Sequence, residues 1–274
     1  MTAPPLTTSG KAPAQFVANA ARVEPLLAAA SASLQGKLPG ATFVLLTLKD
    51  HAPVSALFTD SYLAAEPLTL ALLGASESPS SRDALVSFLR THHAWAATQL
   101  LHNGPCVGVR NSAGELLGCV LTEDYACLVD AAPLSPPPAP TNAQEFGAVN
   151  ALIAPIKCRF KDEWTAGKVP TLWVANLSVS PAAQGLGIGT ELVKSALKIA
   201  DAHGFKWAMG EATGFSQECF AKAGMQEIAS VEYSTFEHDG VKVFTDVAKG
   251  WKSKRFPVAG VRLMVNRDIS TEHR

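Results

Sequence analysis

Residues 171–200, TLWVANLSVSPAAQGLGIGTELVKSALKIA, are the stretch from which the fold is read. A β-branched apolar run ends in Leu177-Ser178-Val179, breaks at Pro181, and passes through Gln184-Gly185-Leu186-Gly187-Ile188-Gly189 into a helical spacing. In that spacing Leu192, Val193, Ala196, Leu197 and Ala200 share one face, with Glu191, Lys194, Lys198 and Asp201 on the other. Gly204 stands where such a helix commonly stops. The order is strand, glycine loop, helix.

A loop of this kind suits an anion. Glycines let the backbone approach a ligand, and the helix that follows adds unpaired N–H groups and the positive end of its dipole. A phosphate or pyrophosphate is the natural guest. Glycine spacing then separates the nucleotide-binding patterns. A dinucleotide fingerprint from Gly185 needs a glycine where Thr190 stands, and from Gly187 one where Leu192 stands. An NTPase phosphate loop needs a Gly-Lys-Ser/Thr ending, yet the first lysine after the loop is Lys194, inside the helix. A plain turn would also use glycines, but it would not need to sit between a strand and a helix.

The pattern that fits is Q/R-x-x-G-x-G/A, on Gln184, Gly187 and Gly189, and here the chain resembles the GNAT superfamily of acetyl-CoA-dependent N-acetyltransferases. The resemblance implies that main-chain amides of Gln184, Gly185, Leu186, Gly187, Ile188, Gly189 and Thr190 hold the coenzyme A pyrophosphate. It implies that the backbone of Leu177 and Val179 pairs with the pantetheine arm like an added strand. The implied fold class is α/β: a mixed, mostly antiparallel sheet of six to seven strands, flanked by helices and splayed between its fourth and fifth strands.

Two further segments carry the resemblance. SYLAAEPLTLAL, with Glu66 before Pro67, is similar to the "fF-x-x-E-P-L" segment of insect-type arylalkylamine N-acetyltransferases, in which the glutamate is the general base. Tyr62 and Leu63 stand where that pattern has two phenylalanines. Read without the resemblance, Glu66 is a carboxylate at a joint that proline restricts, near a helix N-terminus. EATGFSQECFAKAGM, from Glu211, resembles E-x-(T/S)-x-x-S-x-x-x-x-x-K-x-G-F. There the resemblance sets the helix bearing Phe220 against coenzyme A and makes Ser216 a candidate proton donor. Many members carry a tyrosine where this chain has Phe220, which has no proton to give a departing thiolate. Apart from the resemblance, Thr213 and Ser216 are plain helix-capping residues.

Composition bounds the remaining choices. With 274 residues and 47% hydrophobic content the chain is globular with an ample core, and a formal net charge of −1 gives no reason to expect nucleic acid or an anionic membrane. No run is long and apolar enough to span a bilayer. Cys106, Cys119, Cys127, Cys158 and Cys219 form no C-x-x-C pair and are odd in number, which speaks for reduced thiols and against structural zinc. No metal is expected. A monomer in the cytoplasm is expected, although Glu24 is the only acidic residue from Met1 to Lys49, a composition that organelle transit peptides share.

Along the chain, residues 1–40 read as an extension that is partly helical over 16–34, and 41–268 as one acetyltransferase domain containing a proline-rich loop at 131–141. Strands are expected at 41–48, 106–109, 115–122, 205–211, 226–236 and 258–265, with 240–244 resembling a family return strand. Helices are expected over 54–65, 68–73, 80–101 and 144–164, the last interrupted at Pro155 and walling the substrate side. His92 and His93 fall on different sides of their helix, and both are expected to face solvent. Phe58 and Tyr62 are candidates for an aromatic amine pocket, against the alternative of ordinary core. Lys249, Lys252, Lys254 and Arg255 are either a solvated loop or a contact for the coenzyme's ribose phosphate.

The activity these features imply is transfer of an acetyl group from acetyl-CoA to a primary amine of a small molecule, of the arylalkylamine type, with Glu66 as base. A polyamine or foreign amine is the alternative acceptor. A non-catalytic acetyl-CoA sensor would keep the glycine loop but have no use for Glu66. A dinucleotide oxidoreductase lacks its third glycine.

Overall fold

The computed structural model describes residues 19–76, 78–130, 144–245, 247 and 260–270. The proline-rich segment 131–141, the basic residues Lys249 to Arg255 and the first half of the 1–40 extension lie outside the described residues.

Seven strands are named in chain order: β1 Thr42–Leu45, β2 Val107–Arg110, β3 Leu116–Asp124, β4 Thr171–Val179, β5 Trp207–Ala212, β6 Gln226–Glu232 and β7 Gly260–Asn266. The helices are α1 Ala20–Leu34, α2 His51–Ala65, α3 Pro67–Ala75, α4 Pro79–Asn103, α5 Tyr125–Asp130, α6 Gln144–Gly167, α7 Ile188–Ala202 and α8 Gln217–Lys222. The strands form one sheet in the order β1-β2-β3-β4-β5-β7-β6, antiparallel throughout except for the parallel pair β4 and β5.

That parallel pair positions the site. β4 and β5 pair only at Thr171 with Trp207, Leu172 with Ala208 and Trp173 with Met209. Beyond Trp173 they part. On the other edge of β4, Asn176 faces Leu121 while Val174 faces Thr122, so Ala175 is an extra residue bulged out of the ladder with β3. A bulge bends and twists its strand, and this one falls where the sheet opens. The sheet is splayed between its fourth and fifth strands, as the resemblance implied.

Alternation along the strands sorts side chains to two layers. Val120, Ala208 and Met264 face α1 and α7, in one core with Val23, Leu34, Leu192 and Ala196. Cys119 and Leu121 face α2 and α4, and Met209, Leu263 and Val265 face α6. The buried face of α7 is the one read from its periodicity: Leu192, Val193, Ala196 and Ala200 are fully enclosed. Residues 20–34 thus share a core with β1 and α7.

Several expected elements differ. The first strand stops at Leu45, because Thr47 and Asp50 form a capping box that turns residues 48–50 into a 3-10 turn before α2. The sixth strand stops at Glu232, and the expected return strand over 240–244 is a single bridge between His238 and Val241. Phe244 is instead buried against the rings of Tyr233 and Phe236, at 6.0 and 5.8 Å. α6 runs through Pro155 without stopping. Proline inside a helix costs about 3 kcal/mol, and the buried stripe Leu152, Ile156, Phe160 and Trp164 offsets it.

Candidate active site

The opened seam between β4 and β5 holds a cavity of about 450 Å³, reached by the glycine loop from one side and by the end of α2 from the other.

On the loop side, Gly185 and Gly187 have φ of +79° and +86°, the left-handed region that side-chain-bearing residues rarely adopt. These turns bring the loop round so that α7 begins at Ile188, its first amides at the cavity wall. The Gln184 side chain donates to the Val179 carbonyl at 3.3 Å, tying the loop to the end of the central strand. Leu177, Val179, Gln184, Gly185, Gly187, Ile188, Gly189 and Thr190 all line the cavity; Leu186 does not. Leu186 packs against the core beside α7. An anionic ligand fits this cradle, since a row of amides, a helix N-terminus and a splayed strand edge converge on one space. A cation stands close to it, outside the cavity lining. A methyl group at Gly187 would come within 3.5 Å of Lys37 Nζ, so the lysine between α1 and β1 overhangs the loop. Its local sequence carries no signal of this.

On the other side stands Glu66. Pro67 restricts it to an extended conformation, φ −76° and ψ 121°, which ends α2 and makes Glu66 the N-cap of α3. Leu68 N–H donates to its Oε1 at 3.1 Å and Thr69 N–H to its Oε2 at 2.6 Å. The charge expected near a helix N-terminus thus caps that helix through two hydrogen bonds, and the same carboxylate lines the cavity. Burial raises its pKa above the ordinary carboxylate value, and the hydrogen bonds from Thr69 and Leu68 oppose but do not cancel the rise.

Tyr62, one turn before Glu66, also lines the cavity. Burial, with Glu66 second, pushes its phenol up, and the Asn176 amide pulls it down, so the hydroxyl stays protonated at neutral pH. Phe58 does not reach the cavity. It is buried behind Tyr62, stacked on the His93 ring at 4.0 Å and 12°. The expectation that Phe58 lines the acceptor pocket is therefore corrected: the next turn of α2 stands between them. His93 is corrected too. It is buried rather than solvent-facing, its Nδ1 3.2 Å from Thr59 Oγ1, and burial followed by the neighbouring His92 lowers its pKa to about 3. The broad apolar contact of α4 with α2 demands that side of the helix.

At the inner end lie Ser216 and Phe220, both lining the cavity. Ser216 Oγ accepts from Thr213 N–H at 3.2 Å and donates to the Thr213 carbonyl at 3.4 Å, a local turn contact. Phe220 is core as well as wall: its ring fills the space over Gly210, where a methyl group would approach to 2.6 Å.

The residue that the sequence reading passed over is Glu211. It begins the motif segment and lines the cavity, with a side chain only 10% exposed. Trp173 Nε1 donates to its Oε2 at 2.9 Å, and Lys157 Nζ on α6 lies 3.4 Å from its Oε1 and 4.8 Å above the Trp173 ring. Its place at the head of the motif segment was the one signal in the sequence, and its partners come from two other elements.

Among the described residues no group of His, Cys, Asp and Glu is arranged to hold a metal ion, and the five cysteines are free.

Solved structures share this architecture. A putative arylalkylamine N-acetyltransferase 7 of the yellow fever mosquito Aedes aegypti superposes with a TM-score of 0.59 at 17% identity, over 83% of this chain and 87% of that one. A polyamine N-acetyltransferase of Drosophila melanogaster, which forms N-acetylagmatine, superposes with a TM-score of 0.55 at 16% identity, over 83% and 99%. At such identities the likeness is one of fold. The family model of the acetyltransferase (GNAT) family matches residues 77–225, from the start of α4 to the end of α8, more than half of the chain and all of the glycine loop from Gln184 to Thr190. The chain belongs to the GNAT family of acetyltransferases.

Proposed function

We propose that the protein transfers an acetyl group from acetyl-CoA to the primary amine of a small molecule, by direct attack of the amine, with Glu66 as general base. The observation that carries the reading is that one cavity joins the anion cradle of Gln184 to Thr190 to the raised-pKa carboxylate of Glu66.

Acetyl-CoA, when bound, supplies the acetyl thioester. The chain's own residues do the rest. The loop amides and Lys37 bind the pyrophosphate, and the open edge of β4 at Leu177 and Val179 aligns the pantetheine arm. A primary amine is mostly ammonium at neutral pH and has no lone pair to attack with. Glu66 takes that proton, and its raised pKa brings it nearer the range in which a base is effective. Main-chain N–H near Val179 stabilises the charge that develops on the acetyl oxygen, because a fixed dipole in a dry cleft needs no reorganisation. Ser216 is the candidate to relay to the thiolate the proton that the nitrogen loses on becoming an amide, accepting one as it gives one, since Phe220 has none to give.

Tyr62, an aromatic wall beside Glu66, favours an arylalkylamine as acceptor. The alternative of a polyamine draws on the same carboxylate. The test is release of free coenzyme A from acetyl-CoA by the purified protein with tryptamine, tyramine, dopamine, agmatine and spermidine. Release with an amine supports the reading, and tight acetyl-CoA binding with no release for any amine would turn it toward a non-catalytic sensor.

A further inference from the structure

Charge balance in the cavity bears on the acceptor. The charged residues that line it are Glu66, Glu211, Glu218 and Lys222. Glu218 pairs with Lys222 at 2.6 Å, one helical turn away on α8. Glu211 pairs with Lys157 at 3.4 Å, and its second oxygen is taken by the Trp173 indole. Glu66 is held by the amides of Leu68 and Thr69. Among the described cavity residues it is thus the one carboxylate without a lysine.

The geometry points to an acceptor with a single positive charge, and to Lys157 as the residue that excludes a second one. This inference rests on the acetyltransferase reading above. A diamine entering with one nitrogen toward Glu66 would seek a counter-ion for the other, and Glu211, which lines the same cavity and lies within electrostatic reach of Tyr62, is the next carboxylate. An ion pair occupies that place, although no hydrogen bond reaches Glu211 Oε1. Lys157 already neutralises Glu211 and is itself held over the Trp173 ring, so a second ammonium would meet a like charge and would have to displace it. A monoamine needs only Glu66. Its apolar body lies along Tyr62 without needing a polar partner. Lys157 touches no reacting atom in this account; it acts through Glu211, as a specificity-determining residue.

The experiment uses an amine pair matched in length, hexylamine and 1,6-diaminohexane, together with phenethylamine and agmatine. kcat and KM for each are compared in the native protein and in Lys157→Met and Lys157→Arg. The native protein is expected to prefer the monoamine of each pair. Lys157→Met is expected to raise kcat/KM for the diamines roughly tenfold while changing the monoamines by less than about threefold, through KM. Lys157→Arg, which keeps the charge, is expected to restore the native preference. Lys157 is 38% exposed, but Lys157→Met leaves the nearly buried Glu211 without its cation, so thermal unfolding of each variant is measured beside its kinetics, and Lys157→Arg, which keeps the pair, is the folded control. Preference of the native protein for diamines, or an unchanged ratio in Lys157→Met, would overturn the inference and leave the acetyltransferase reading standing. Acetylation of neither kind of amine, with acetyl-CoA bound, would overturn that reading and the inference with it.

Discussion

The Glu66 carboxylate accepts the Thr69 amide at 2.6 Å, so one side chain both caps α3 and presents a carboxylate to the cavity. Capping fixes the rotamer of a group that must otherwise be held by substrate. It also leaves the carboxylate short of water, and burial then raises its pKa.

Glu66→Gln keeps an acceptor for one of the two α3 amides, sets its NH2 against the other, and removes the base. Acetylation is expected to fall by about 10²–10⁴-fold, with the dissociation constant for acetyl-CoA unchanged. In the native protein the acid limb of kcat/KM is expected above the ordinary glutamate value. Glu66 acts only when ionised, and its raised pKa means that ionisation, and activity, arrive at higher pH as pH rises. Full rate in Glu66→Gln at every pH sinks the base assignment.

Lys37→Gln removes the cation over Gly187 without touching the core, since Lys37 is exposed. KM for acetyl-CoA is expected to rise about three- to tenfold, with kcat unchanged and the difference shrinking in high salt. S-acetylpantetheine, which has no phosphates, serves as control. A variant that binds both donors as the native protein does would remove Lys37 from the cradle.

Phe58 and Tyr62 are neighbours on α2 with opposite duties. Phe58→Leu is expected to cost about 1–2 kcal/mol of stability, seen in thermal unfolding, and to leave KM for the amine within about twofold. Tyr62→Ala is expected to raise that KM with a smaller loss of stability. The reverse pattern would put Phe58 at the substrate.

His93 predicts acid sensitivity. Its pKa falls from 6.5 in the open chain to about 3 in the fold, so between those values the unfolded chain takes up a proton that the native protein refuses. Stability therefore drops as pH falls below about 6.5, by at most about 1.4 kcal/mol per pH unit from this one group. His93→Gln should flatten that slope in denaturant titrations, even if it lowers stability at neutral pH. An unaltered slope would assign acid sensitivity to other groups.

Much of the fold was legible in the chain, and the reasons are local. The strand, loop and helix of residues 171–200 are contiguous, so periodicity and glycine placement read the cradle directly. Glu66-Pro67 was legible because proline acts on its immediate neighbour. The errors were of another kind. The first strand was overrun because the Thr47 and Asp50 box competes with strand pairing, and the 240–244 strand was lost to burial of Phe244. α6 passed through Pro155 because four buried side chains outweigh one missing hydrogen bond.

The sequence by itself determined that a glycine loop joins a strand to a helix and that a carboxylate stands at a proline joint, since each depends on residues within a few positions of one another. The tertiary structure alone decided that they share one cavity, that Tyr62 rather than Phe58 borders it, and that Lys37 covers the loop. It alone paired Glu211 with Trp173, 38 residues away in the chain, and with Lys157. Charge neutralisation works through space, and a residue's neighbours in space are set by how sheet and helices pack, which no local spacing records.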